Sequence, residues 1–151
     1  MRSELYSAVR DALLGMPERV VVHVDLWNHN VEFIEQEEAW PRPAVFVEFA
    51  PIEWRRVKGA GYRTDGVLRL HVVTDWDGQE SSLEVFDLCE RIREAMLGLS
   101  GASFTGLKLL RSDTNHNHED IVESIEVFGY CGEWLPESRR DNVPPRGTWQ
   151  G

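Results

Sequence analysis

The chain has 151 residues, 42% of them hydrophobic and 28% charged, which is enough apolar material for one domain with a substantial core. Sixteen Lys and Arg against 26 Asp and Glu leave a net charge of -10, which argues against binding a nucleic-acid backbone or a polybasic membrane anchor. No apolar run approaches the roughly 20 residues needed to cross a bilayer. No signal-peptide core precedes the first helical pattern, and two cysteines, Cys89 and Cys131, are too few for a disulfide scaffold. Composition predicts a soluble, acidic, cytoplasmic protein.

Leu5, Ala8, Val9, Ala12 and Leu13 recur at spacings of three and four and predict a helix, with Ser3 at its N-cap and Gly15 and Pro17 closing it. The period then becomes two. Val20, Val22, Val24 and Leu26 alternate with Val21, His23, Asp25 and Trp27, predicting a strand with the first set buried. Residues 28–42 form a long excursion carrying Glu32, Glu35, Glu37 and Glu38, closed by Pro41 and Pro43. Residues 44–49, Ala-Val-Phe-Val-Glu-Phe, read as a central strand. Residues 52–63 are basic and glycine-broken, predicting a hairpin with Arg55, Arg56, Lys58 and Arg63 on it. Asp65-Gly66 reads as a turn before a strand over 67–74, with Arg69 and His71 on its polar phase.

Asp77-Gly78 turns the chain into a second helix. Ser81 stands at capping-box spacing from Glu84, and Val85, Leu88, Cys89, Ile92, Met96 and Leu99 form a helical stripe. Strands over 104–111 and 121–134 follow, joined by a polar loop. The expected order is α-β-β-β-α-β-β: an α+β domain over residues 1–135, with a mostly antiparallel sheet and two helices packed on one face. Residues 136–151, rich in Arg, Asp, Asn, Pro and Gly, read as a flexible C-terminal tail.

Motifs for chemistry are sparse. His116 and His118, followed by Glu119 and Asp120, offer imidazole and carboxylate groups of the type that bind zinc or manganese. They lack the spacing of a helical zinc motif and read as part of a solvated loop. No nucleophile elbow or phosphate-binding glycine loop is present. Cys89 falls in an apolar stripe and reads as a small core residue. No catalytic residue, metal or cofactor is assigned. Six tryptophans are many for this length; Trp40, Trp54, Trp76 and Trp134, near strand ends or in loops, either cap the core or anchor an interface. The charges are segregated, with acids in the excursion and bases in the hairpin, as two faces of a head-to-tail contact would require. Glu32, Glu35, Glu37, Glu38, Trp40, Trp54, Arg55, Arg56, Lys58 and Arg63 are the interface residues this reading selects.

In the order and character of its elements the chain resembles the tail terminator (tail completion) proteins of long-tailed bacteriophages and prophages. The resembling features are the helix over 4–14, the Pro-Arg-Pro-Ala-Val-Phe-Val-Glu-Phe run at 41–49 and the strand over 67–73. They continue in the helix over 83–99, the strand over 104–111 and the strand ending at Tyr130. The resemblance implies a non-enzymatic structural protein that forms a ring, usually a hexamer, caps the tail tube and joins it to the head. It implies a tail-tube protein and a head-tail connector as partners, assembly in the host cytoplasm, and a place in the virion tail. The long acidic excursion and the C-terminal tail depart from the compact pattern and leave a neighbouring connector or baseplate role open. Two other classes stay open as well. A small metal-dependent enzyme would use His116 and His118, and a stand-alone binding module would hold a small ligand.

Overall fold

The computed structural model describes residues 1–28, 40–59, 61–76, 79–115 and 121–136, with the backbone alone for 79–82. Within these the order is α1 (Arg2–Leu14), a 3-10 turn (Pro17–Arg19), β1 (His23–Leu26), β2 (Ala44–Phe49), β3 (Arg55–Val57), β4 (Gly61–Asp75), α2 (Gln79–Met96), β5 (Phe104–Asn115) and β6 (Ile121–Trp134). The fold is α+β, with two helices on one face of a mostly antiparallel sheet. The strands run β1-β2-β4-β6-β5, with β3 paired to β4 beyond the end of β2; the β1–β2 pair is parallel and the rest are antiparallel.

The helix layer rests on residues that both patterns place on one face. Leu5, Val9 and Leu13 of α1 and Val85, Leu88, Cys89, Ile92 and Met96 of α2 pack on Val45, Val47, Leu68, Leu70, Val72, Phe128 and Tyr130 of the sheet. Truncating a fully buried member such as Phe128 to Ala costs about 3–5 kcal/mol in cores of this kind. Cys89 is inert there, because burial pushes its thiol up to about 12. One charged pair ties the layers together. Arg93 of α2 donates from Nε and Nη2 to the buried Glu126 of β6, both at 3.0 Å, and Ser112 Oγ donates to the same carboxylate at 2.6 Å. Two parallel N–H···O bonds of this kind fix orientation as well as charge.

Several local expectations yield to tertiary context. Asp65-Gly66 is no turn: β4 is continuous from Gly61 to Asp75, and Gly66 pairs with Tyr130. A Cβ at position 66 would lie 2.2 Å from Tyr130 Cζ, so the glycine serves a close ring approach within a strand. The turn lies earlier, where Gly59 and Gly61 take φ of 76° and 79°. The hairpin therefore contributes β3 as an additional strand. Just before β1, Val21 is fully buried and Val22 exposed, and within it Leu26 is exposed, against the expected phase. β1 lies at the sheet's edge, and the helix layer reaches Val24 but not Leu26. α1 begins at Arg2, which puts Ser3 inside the helix, and α2 begins at Gln79, ahead of the expected cap at Ser81. The Asp77-Gly78 turn and residues 137–151 of the tail lie outside the described residues.

The face away from the helices is also covered, which the alternation did not predict. Ala44, Phe46, Val73 and Ile121 form a second cluster there, with Trp27 and Trp40 packed against it. His71, placed on an exposed polar phase by sequence, is only 5% exposed. Its ring nitrogens lie 2.7 Å from Glu123 Oε2 and 2.9 Å from Glu48 Oε1, and Arg69 stands 3.6 Å from Glu48.

Candidate assembly interface

The structure gathers one half of the interface selected from sequence at a single end of the sheet. Trp54 enters β3, Arg55 and Arg56 lie on it, Lys58 is in the turn, and Arg63 leaves on β4 opposite Arg55. Ladder pairing therefore concentrates four cations on one short hairpin, and their electrostatics differ. Arg55 Nη1 donates to Asp65 Oδ2 at 3.0 Å, and Arg63 Nε stands 3.3 Å from Glu133 Oε1. The Arg55 hydrogen bond holds the Asp65 carboxyl below the usual carboxylate range, and the Cys131 thiol, donating at 3.6 Å, adds to the effect. Both pairs are exposed to solvent, where ion pairs are screened and readily exchanged. Arg56 and Lys58 are exposed and have no carboxylate partner among the described residues.

An aromatic shelf adjoins these cations. Tyr62 and Trp134 face each other across the β4–β6 ladder and stack with centroids 5.5 Å apart. With Met1, Arg2 and Trp54 they line a cavity of about 330 Å³. Trp54 is 39% exposed and Trp134 49%. Wide apolar rings beside unpartnered cations make up the usual centre and rim of a protein contact. Sequence reasoning selected Trp54, left Trp134 open between core cap and interface anchor, and passed over Tyr62, because only the strand register brings those two rings together.

Trp40 sits elsewhere. Its ring meets Phe46 edge-on at 4.8 Å, lies roughly parallel to His23 at 6.3 Å, and carries the Arg42 guanidinium at 5.4 Å. It caps the second cluster near the opposite end of β4 from Trp54. Glu32, Glu35, Glu37 and Glu38 lie outside the described residues, as do His116 and His118. Among the described residues no group of three or more His, Cys, Asp or Glu is arranged to hold a metal ion. No helix there is long and apolar enough to cross a membrane.

No family model and no curated protein sequence matches this chain. Among solved structures, a chain of the virion of a native gene transfer agent (GTA) particle does match, with a TM-score of 0.53. The two chains share a fold. The likeness covers 86% of this chain and 95% of the virion chain at 19% sequence identity, so it spans both nearly end to end.

Proposed function

We propose that this protein is a structural component of a phage-like virion, of the tail-terminator kind. A ring of subunits, six in number, caps the tail tube, stops its polymerisation and forms the joint to the head. The likeness of fold to a GTA virion chain over nearly the whole of both chains carries this reading. The order and character of the elements, which resemble those of tail terminators, support it. Catalysis has no part in it, and its partners are the tail-tube protein and a head-tail connector. The protein assembles in the host cytoplasm and leaves in the virion tail.

A closed ring needs two complementary surfaces on every subunit. The hairpin with Arg55, Arg56, Lys58 and Arg63 is one, with Trp54 as its apolar anchor. The acidic segment with Glu32, Glu35, Glu37 and Glu38, followed by Trp40, is the partner surface selected from sequence. A net charge of -10 per subunit opposes association, so tube ends should promote ring closure. The test is to mix the purified protein with growing tail tubes and examine the ends by electron microscopy. Rings on the ends and arrested growth are the expected result. Monomers alone, at high concentration and on tube ends, would overturn the reading.

A further inference from the structure

At the far end of β4 from the hairpin, a cleft of about 420 Å³ opens between the sheet and the first half of α2. Pro43, Val85 and Leu88 give it an apolar wall. Thr74, only 7% exposed, lines it, and its Oγ1 has no hydrogen-bond partner among the described residues. A buried hydroxyl without a partner is costly, and a donor entering the cleft would relieve it.

The charges around the cleft do not cancel. Arg42 is ion-paired with Asp75 and lies over the Trp40 ring. Arg91 donates to the Pro17 carbonyl at 3.0 Å and stands 4.0 Å from Glu18. Both arginines are thus turned to partners in their own chain. Glu84 and Asp87 remain, one helical turn apart on α2, exposed and with no cation at ion-pair distance among the described residues. An acidic rim over an apolar wall, with an acceptor inside, fits a long basic side chain. The stem packs on the wall while the charged head meets the carboxylates.

Such side chains stand at the other end of the same strand. We propose that the hairpin of one copy, through Arg56 and Lys58, seats in the Glu84–Asp87 cleft of a second copy. This rests on the ring reading above and, for Arg56 and Lys58, puts the cleft in place of the acidic segment as the receiving surface. Of the four hairpin cations, these two have no carboxylate at ion-pair distance among the described residues. The fifteen residues of β4 place the two surfaces about 46 Å apart at roughly 3.3 Å per residue, so one copy cannot satisfy its own cleft. With the two surfaces at opposite ends, each subunit can give a hairpin to one neighbour and receive one from another, the heterologous contact a head-to-tail ring demands.

Sedimentation velocity and electron microscopy of two double variants, Arg56→Glu/Lys58→Glu and Glu84→Lys/Asp87→Lys, test the pairing. All four side chains are exposed, so circular dichroism and melting should match the parent protein. Each variant alone should raise the self-association Kd by about tenfold or more. An equimolar mixture of the two should associate like the parent, because every contact in an alternating ring again joins opposite charges. If the parent forms rings and the Glu84→Lys/Asp87→Lys variant forms them equally well, the cleft pairing is overturned and the ring reading stands. Failure of the mixture to recover overturns the pairing too. A parent protein that stays monomeric even on tube ends overturns both.

Discussion

The indole of Trp27 lies flat on the imidazole of His71, with ring centroids 3.8 Å apart and planes 2° from parallel. The stack roofs a histidine whose two nitrogens both face carboxylate oxygens, of Glu123 and Glu48. Replacing His71 by Phe keeps a ring under Trp27 but removes both polar contacts. The cost should be about 1–3 kcal/mol, since the buried Glu123 and the half-buried Glu48 each lose one polar contact. Trp27→Phe retains most of the roof and should cost less. Urea unfolding of the two variants compares them directly, and a larger loss for Trp27→Phe would show that the stack outweighs the polar contacts.

Gly66 offers a sharper steric test. An added Cβ would meet the Tyr130 ring at 2.2–2.6 Å, well inside van der Waals contact. Gly66→Ala should destabilise the domain by about 1–3 kcal/mol, the range for overpacked cores. Combining it with Tyr130→Leu should cost less than the sum of the single changes, since the clash vanishes with the ring. Strict additivity in a double-mutant cycle would contradict the close approach.

Acid should act partly through Glu4. Its Oε1 accepts from the Ser103 backbone N–H and from Ser103 Oγ, both at 2.7 Å, joining α1 to the segment before β5. The backbone hydrogen bond, then the hydroxyl, lowers the carboxyl below its ordinary value of 4.5. A lowered folded-state value means that the contribution is complete above the unfolded value and is lost as pH falls through the folded one. Melting curves of the parent and of Glu4→Gln should therefore differ at neutral pH and converge below the ordinary glutamate range. A difference that persists unchanged into strong acid would exclude this linkage.

The domain is expected to end before the tail. Leu135 packs beside Gly61, whose added Cβ would lie 3.1 Å from Leu135 Cδ1, so contacts with the hairpin end extend at least that far. Beyond it, residues 136–151 hold Val143 and Trp149 as their only large apolar side chains. Ending the chain after Leu135 should change unfolding free energy by no more than about 0.5 kcal/mol, as for surface changes. A loss of several kcal/mol would mean that the tail is docked on the domain.

Sequence reading succeeded where one face of an element decides its fate. The α1 stripe of Leu5, Val9 and Leu13 and the α2 stripe from Val85 to Met96 are buried as their spacing requires. It failed where a distant residue decides. Asp65-Gly66 carries a local turn signal, but Tyr130, sixty-four residues on, holds Gly66 in a strand. His71 looked exposed because its partners, Glu48 and Glu123, come from two other strands. The basic hairpin was legible as a run of Arg and Lys. Which cations are already paired was not, because Asp65 and Glu133 meet Arg55 and Arg63 only through folding. The cleft was invisible too, since Thr74 and Pro43 approach α2 only in three dimensions.

The unbroken course of β4 has a mechanical consequence. Antiparallel ladder hydrogen bonds lie across the strands, so a pull along β4 loads the β6 ladder from Tyr62 to Asp75 all at once, in shear. Between Leu68 and Val73 the β2 ladder shares that load from the other side. Nothing unzips one bond at a time. Tension between the basic hairpin and the acidic cleft would travel through main chain held on both flanks and not through a loop. The molecule should therefore be stiffest along the line joining these two ends and should yield first at the Gly59 turn, where the ladder stops.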